Sequence, residues 1–186
     1  MILENLKNGV VLVAEPSLIG DISFQKSVIL VANHCNTGTV GFITNKPTTS
    51  TISDFIPEVT EEYRIYNGGP VEQDNLYFVH SIPELIPNSV KIAENVFWGG
   101  SFKIVSELMI DKVIEPDDIK FFLGYSGWSF NQLENEIIDH SWIISNAKNL
   151  RSLINDQIDC YWKNKMLELG GRYSIWANTP ENPEYN

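Results

Sequence analysis

The sequence has few cysteines and no long apolar run, and each shortage excludes a class of protein. Its two cysteines, Cys35 and Cys160, lie far apart and form no C-x-x-C pair, so a disulfide framework is not indicated. The longest apolar runs, Val10–Ala14 and Val28–Ala32, have five residues, whereas a membrane helix needs about 20. The N-terminus shows no secretory signal pattern. We therefore expect a cytoplasmic protein with free thiols and no membrane contact.

Basic side chains are also scarce. The 186 residues include 13 Lys and Arg against 24 Asp and Glu, which leaves a net charge of −11. Binding to nucleic-acid phosphates needs clustered Lys and Arg side chains, and the sequence has no such cluster. The acidic excess is spread over both halves of the chain, so solubility is its ordinary explanation. We therefore expect no direct contact with nucleic acid.

Metal and cofactor motifs are missing as well. The three histidines, His34, His80 and His140, are isolated in the sequence, whereas zinc sites need three or four ligands. The chain also lacks the dinucleotide-binding pattern G-x-G-x-x-G and the phosphate-binding pattern G-x-x-x-x-G-K-[ST]. We expect no metal, no cofactor and no catalytic constellation.

The apolar pattern is typical of an α+β domain. Short β-branched runs bounded by Gly, Pro, Asn and Asp predict buried strands, and the second and third strands should form a hairpin. The predicted strands are Gly9–Ala14, Ser27–Ala32, Gly38–Thr44, Arg64–Tyr66, Asn75–His80, Phe121–Tyr125 and Trp142–Ile144. Because strands and helices do not alternate regularly, α+β is favoured over a doubly wound sheet. The length fits one domain over residues 1–186, with an irregular tail over 178–186.

Four helices are predicted from capping residues and from apolar positions at helical spacing. The first is short, follows Ser50 or Thr51, and turns Ile52, Phe55 and Ile56 inward. The second helix follows the cap Ser101, and its inner residues are Ile104, Val105, Leu108 and Met109. The third begins at the capping box of Ser129 and Gln132, and its inner residues are Leu133, Ile137 and Ile138. The last begins at the cap Asn155 or Asp156 and ends at Gly170–Gly171, with the inner residues Ile158, Trp162, Met166 and Leu169.

Polar and glycine-rich segments after the predicted strands are candidates for ligand binding. Lys46 offers one cation for an anionic ligand and Asn45 a hydrogen-bonding amide, although a polar turn before proline is the favoured explanation of both. Gly68 and Gly69 permit the close approach of a ligand or of another backbone, and here too a structural turn is favoured. The amides of Trp98–Ser101 offer an anion site at a helix start, or simply a tight loop.

The segment Leu123–Trp128 has the layout of a nucleophile elbow, with a buried strand, a sharp turn and a capped helix. Ser126 stands at the nucleophile position. The elbow motif G-x-S-x-G ends in glycine, however, and Trp128 stands there instead. Only His140 follows Ser126 in the residue order of α/β-hydrolases. A serine hydrolase is therefore not favoured.

Taken in order, these segments resemble the YqgE/AlgH family, also called UPF0301 or DUF179. The matching segments are Gly9–Pro16, Asp21–Val28, His34, Gly38–Pro47, Gly68–Val71, His80, Leu123–Trp128, Gln132–Ile137 and Trp142. The resemblance extends from Gly9 to Trp176. It implies one compact domain with a bent or bifurcated, mostly antiparallel sheet, partly closed as a small barrel and surrounded by helices. It implies no established enzymatic activity, although some members carry the label "transcriptional regulator".

Two departures from the family pattern affect the expected site. The family's usual alanine in the G-Y-A-G-W segment is Ser126 here, which argues against a required nucleophile at this position. Ser129 and Phe130 replace smaller residues, and we expect them to restrict a ligand that enters at this loop.

One function is favoured, and two alternatives of other classes are kept beside it. The first is a cytoplasmic binding or regulatory module that acts through a protein or small-molecule partner, without direct DNA binding. The alternative is an enzyme, a hydrolase or transferase, whose site is assembled from the glycine-rich turns and the Gly-Tyr-Ser-Gly-Trp segment. The candidate binding residues are Asn45, Lys46, Gly68, Gly69, Ser126 and Trp128. A purely structural interaction protein would instead show a large exposed apolar patch at Trp142, Trp162 or Trp176. The sequence leaves the partner and the oligomeric state open.

Overall fold

The computed structural model describes residues 3–145, 150–154 and 160–179. These residues form ten strands, four α-helices and several short 3₁₀ turns. The strands are β1 (Val11–Ala14), β2 (Val28–Cys35), β3 (Gly38–Ile43), β4 (Pro47–Thr51), β5 (Arg64–Asn67), β6 (Val71–His80), β7 (Val90–Ala93), β8 (Val96–Trp98), β9 (Ile119–Ser129) and β10 (Trp142–Ser145). The helices are α1 (Phe102–Ile110), α2 (Gln132–Ile138), α3 (Tyr161–Leu169) and α4 (Tyr173–Ala177).

The ten strands form one sheet that branches at β9. The main path runs β10-β1-β2-β3-β9-β6-β8-β7, and β5 leaves it from β9 with β4 at its outer edge. Among the described pairs, only β5 with β9 is parallel. The α+β prediction and the bifurcated, mostly antiparallel sheet are therefore confirmed, with the described residues in a single domain.

Strand β9 joins the two halves of the sheet because its eleven residues have different partners along their length. On one edge, its first half pairs with β5 and its second half pairs with β3. On the other edge it pairs with β6. The connection from β5 to β6 must therefore pass across β9, and it does so at Gly68 and Gly69.

This passage, which we call the crossing (Gly68 and Gly69 over residues 123–126), brings two backbones into direct contact. A Cβ on Gly68 would lie 2.2 Å from the carbonyl oxygen of Gly124, and one on Gly69 would lie 2.4 Å from the carbonyl carbon of Tyr125. Gly69 and Gly124 also have φ angles of +149° and +68°, which side chains disfavour. Only glycine fits at these positions.

The sheet curls so that its far end approaches its beginning. Strand β7 lies against β2 and against Gly9, where an added Cβ would be 2.8 Å from the Cβ of Ala93. Within the described residues, no ladder of hydrogen bonds joins β7 to β1 or β2. The sheet thus has the curvature of the expected, partly closed barrel, but hydrogen bonds between the described strands do not close it.

Three apolar clusters pack against this sheet. The first lies on the concave side of the curved sheet, under α3 and α4, and includes Phe42, Phe122 and Trp162. The second lies between β1–β3 and α2, and the third lies between the β5–β9–β6 region and α1. Each cluster therefore includes side chains of at least one helix, so helices surround the sheet as the resemblance implied.

Several predicted elements differ from the structure in extent. The predicted short helix is a single 3₁₀ turn, Ile52–Asp54, and it ends before Phe55, which is 64% exposed rather than inward. Strand β9 does not end at Tyr125 but continues to Ser129, because β3 provides backbone partners for its second half.

The predicted helix boundaries are only partly correct. Ser129 ends a strand, and its N–H donates to Oε1 of Gln132 at 3.0 Å, while Asn131 occupies the N-cap of α2. Ile138 and Leu169, which the spacing turns inward, are exposed because each lies at the last position of a short helix.

Some predictions concern residues outside the described ranges or miss elements altogether. The predicted start of the last helix (Asn155, Asp156 and Ile158) and residues 180–186 of the irregular tail lie outside the described residues. Strand β4 is missed because its sequence, Pro-Thr-Thr-Ser-Thr, has no apolar alternation. Strands β7 and β8 and helix α4 are missed as well.

We predict that Gly68→Ala destabilises the fold by about 3 kcal/mol, since the new methyl group would overlap backbone atoms that cannot move independently. Urea unfolding followed by circular dichroism measures this difference. The matched control is Gly127→Ala on β9, where the nearest atom to the added Cβ is in the flexible ring of Tyr125 at 3.1 Å. The control should change stability by less than about 1 kcal/mol. Equal effects of the two substitutions would contradict the steric role of the crossing.

Candidate functional site

Three of the six predicted site residues meet at the crossing. The carbonyl oxygen of Gly68 accepts hydrogen bonds from the N–H of Ile43 at 3.0 Å and from Oγ of Ser126 at 3.1 Å. The N–H of Gly68 donates to the carbonyl oxygen of Leu123 at 2.8 Å. Gly68, Gly69 and Ser126 are all buried. Their polar groups therefore join β3, β5 and β9.

Asn45 and Lys46 hold the loop that precedes β2. Oδ1 of Asn45 accepts from the N–H of Val28 at 2.8 Å, and Nδ2 donates to the carbonyl oxygen of Lys26 at 2.9 Å. Nζ of Lys46 donates to the carbonyl oxygen of Ser23 at 2.8 Å. Both side chains thus bind backbone atoms of the same chain.

Trp128 lies in the second apolar cluster, under α2. Its Nε1 donates to Oε2 of Glu136 at 2.8 Å, and the same oxygen accepts from Nε1 of Trp142 at 2.8 Å. The two indole rings meet edge to face at 5.9 Å, and Phe24 stacks on Trp128. This shared carboxylate explains a tryptophan at a position where the elbow motif would have glycine.

The nucleophile elbow, which the sequence does not favour, is absent at Ser126. Ser126 lies within strand β9 and pairs with Gly41, so no sharp turn from strand to helix presents its hydroxyl. The hydroxyl is buried and donates to Gly68. An elbow nucleophile must be exposed at such a turn.

The tryptophans that the structural-protein hypothesis would expose are mostly in the core. Trp142 and Trp162 are buried, and Nε1 of Trp162 donates to the carbonyl oxygen of Ala14 at 2.8 Å. Trp176 is half-buried. Trp142 and Trp162 therefore form no exposed apolar patch.

A concavity of about 360 Å³ lies where β2, β3 and β9 meet. Its lining residues are Asn33, Cys35, Thr37, Gly38, Thr39, Val40, Val71, Tyr125, Gly127, Trp128 and Ser129. None of these lining residues carries a charged side chain. Of the six predicted site residues, Trp128 alone belongs to this lining.

The concavity continues the face of the sheet that carries the first apolar cluster. Val40 pairs directly with Gly127, and side chains alternate along a strand, so both lie on the face that carries Phe42. Tyr125 packs against the same cluster and reaches the concavity. Gly127 leaves the floor open because it has no side chain. Phe130, expected to restrict access here, is 62% exposed and is not among the lining residues.

Cys35 contributes an exposed thiol to this lining. Its thiol is exposed and lies 3.0 Å from Oγ1 of Thr37. Hydrogen bonds from the hydroxyl and the backbone N–H of Thr37 stabilise the thiolate, which lowers the pKa of Cys35 below its ordinary value. The sequence pattern of this hairpin indicates only a turn, because thiol acidity depends on where the neighbouring hydroxyl points.

A second concavity, of about 540 Å³, lies beside the end of β1. The carboxylate of Glu15 is almost fully buried there, accepts a hydrogen bond from the hydroxyl of Tyr173, and lies 3.7 Å from Nη2 of Arg172. These contacts attach the start of α4 to the end of β1.

Comparisons with known proteins agree with this architecture. The family model described as AlgH-like, DUF179, matches residues 11–174. A UPF0301 protein of Cytophaga hutchinsonii is 38% identical over 183 residues, which cover 97% of this chain and 100% of the relative. A UPF0301 protein of Chlorobium phaeobacteroides is 37% identical over 185 residues, with 98% and 97% covered. The chain belongs to the AlgH-like (UPF0301) family.

Solved structures show the same fold for this AlgH-like chain. A crystal structure of a protein from Corynebacterium diphtheriae has a TM-score of 0.75 at 22% identity and covers 94% of this chain and 93% of its own. The solution structure of the AlgH protein of Pseudomonas aeruginosa has a TM-score of 0.70 at 21% identity, with 94% and 95% covered.

In the described part of this AlgH-like chain, no group of three or more His, Cys, Asp or Glu side chains is placed to hold a metal ion. Nor does any helix there have the length and apolar character needed to cross a membrane.

We predict that Thr37→Val shifts the alkylation of Cys35 to higher pH, because the thiolate loses the hydroxyl that stabilises it. The rate of reaction with iodoacetamide, followed from pH 6 to pH 10 by mass spectrometry, measures the apparent pKa. A Cys160→Ser background leaves one thiol to observe. Thr37→Ser keeps the hydroxyl and should retain the wild-type profile. Superimposable profiles for Thr37→Val and wild type would show that the hydroxyl has no such role.

Proposed function

We propose that this AlgH-like protein is a binding or regulatory module that holds a ligand in the concavity formed by β2, β3 and β9. The observation that carries the proposal is the composition of this concavity. Val40, Val71 and Tyr125 provide apolar contact, and hydroxyl, amide and thiol groups lie around them. Ligand sites in proteins combine apolar walls with a few polar groups in this way, often at the mouth of a barrel.

The same lining indicates the class of ligand. A charged ligand would lose water without gaining an ion-pair partner among Asp, Glu, Lys, Arg or His side chains, since none of these lines the concavity. Asn33, Thr37 and Ser129 can each donate or accept hydrogen bonds. The ligand that fits best is therefore an uncharged small molecule, or an uncharged partner segment, with hydrogen-bonding groups at its edge and an apolar or aromatic face toward Tyr125.

We do not propose an enzyme. The only hydroxyl that sequence reasoning considered as a nucleophile, Ser126, is buried and donates to Gly68. The proposal also includes a cytoplasmic location, and its support is the pair of exposed free thiols, Cys35 and Cys160, which a reducing compartment preserves.

We predict that Gly127→Val abolishes ligand binding by filling the floor of the concavity. The experiment is a thermal-shift screen of uncharged metabolites, because a ligand that binds only the folded state raises the melting temperature. Each hit is repeated with Gly127→Val and with the matched control Thr49→Val, which adds an apolar group at an exposed position of strand β4.

The expected result is a shift in wild type and Thr49→Val that is absent in Gly127→Val. Protection of Cys35 from alkylation by the same ligand provides a second measurement at the site. The proposal is refuted if every hit shifts Gly127→Val as much as wild type and leaves Cys35 equally reactive.

We predict that any regulatory role involves no direct contact with duplex DNA, because the net charge of −11 opposes association with phosphates. Fluorescence anisotropy of a labelled duplex should remain constant up to micromolar protein at low salt. A salt-dependent rise at submicromolar protein would contradict this expectation.

A further inference from the structure

A second surface, built from different residues, covers the third apolar cluster. It consists of two chain segments, residues 52–63 and residues 107–118, that lie side by side. Oε1 of Glu61 lies 3.0 Å from Nζ of Lys112, and the hydroxyl of Tyr63 donates to the carbonyl oxygen of Ile114 at 2.6 Å. Below them Ile52, Val59 and Met109 pack in the shared cluster. We call this surface the acidic face.

The acidic face carries large apolar side chains that the core leaves exposed. Phe55 is 64% exposed and Val113 is 55% exposed, one on each of the two segments, and Ile110 at the end of α1 is 40% exposed. Single exposed apolar residues are ordinary on protein surfaces. Here three of them lie on two adjoining segments, which is a feature of interaction surfaces.

Carboxylates dominate the charge of the same segments. The nine acidic residues are Asp54, Glu58, Glu61, Glu62, Glu107, Asp111, Glu115, Asp117 and Asp118. Lys112 is the one basic residue within the two ranges, and it pairs with Glu61. At their borders, Arg64 pairs with Glu62 and Arg151 with Asp118. A clear excess of negative charge remains on this face.

The charges act together on a group beneath them. Burial raises the pKa of Tyr63 to about 12, and the negative charges of Glu61, Asp118 and Glu115 add to this effect. Carboxylates from both segments thus act on one buried hydroxyl beneath the face.

We infer that the acidic face is a docking surface for a basic segment of a partner protein, in which Lys or Arg side chains alternate with apolar ones. Charge complementarity selects this partner, since cationic side chains would meet the excess carboxylates. Its apolar side chains would cover Phe55, Ile110 and Val113. A second copy of this chain does not fit, because two acidic faces repel each other. The inference goes beyond the ligand site proposed above and does not depend on it.

The test uses two fluorescein-labelled peptides of equal length and charge, one of lysine and leucine and one of lysine and serine. Anisotropy titrations of the whole protein at low and physiological salt give the dissociation constants. We expect the lysine–leucine peptide to bind about tenfold more tightly than the lysine–serine peptide. Phe55→Ser with Val113→Ser should remove this difference. The same change at other exposed apolar residues, Ile22→Ser with Ile175→Ser, should alter it by less than about twofold.

A second pair of variants tests the charge. Glu58→Gln with Asp111→Asn should weaken binding about fivefold and flatten its salt dependence. Asp74→Asn with Glu94→Gln removes the same charge from exposed positions elsewhere and should have less than half that effect. Circular dichroism melting confirms that each variant is folded.

Three results would overturn the inference. Equal affinity of the two peptides would show general attraction to an acidic protein. Equal losses of affinity in the acidic-face variants and in their controls would place the binding elsewhere. Concentration-dependent dimerisation that Phe55→Ser abolishes, measured by sedimentation, would assign the face to a second copy of the chain. A preference for the lysine–leucine peptide that only the acidic-face variants lose supports the docking surface.

Discussion

The passage of Gly68 and Gly69 across strand β9 is the constraint on which the rest of the fold depends. Two backbones meet there with no room for a Cβ, and the carbonyl oxygen of Gly68 accepts hydrogen bonds from both β3 and β9. The contact lets one strand belong to two halves of the sheet. Without it, β5 and β6 could not lie on opposite edges of β9, and the three apolar clusters would not share one sheet.

The unusual polar side chains that the sequence points to are used within the fold, so they are not available to bind other molecules. Asn45, Lys46 and Ser126 bind backbone atoms of their own chain, and Glu136 joins two indole rings. In the second half of β9, beyond the crossing, Gly127 has no side chain and so leaves one face of the sheet accessible. The uncharged concavity beside it and the acidic face on the other half of the sheet thus offer two surfaces of different chemistry.

The fold could largely be predicted from the sequence, whereas the candidate site could be predicted only in part. Short apolar runs predict the central strands, since a buried strand needs such residues wherever it lies. The polar edge strand β4 gives no apolar signal. The six predicted site residues are unusual in type, yet unusual residues serve a backbone crossing as well as a ligand. Cys35, which lines the concavity, has no distinctive sequence pattern.

The sequence by itself determined the α+β class, the positions of the main strands, the family and the negative charge of this protein. These properties depend on local pattern, on composition or on similarity along the chain. Only the tertiary structure decided that Ser126 donates to the carbonyl oxygen of Gly68 and that Trp128 donates to the carboxylate of Glu136. It also decided that Gly127 leaves a concavity open. The physical reason is that the partner of each group lies elsewhere along the chain, and only the fold brings the two together.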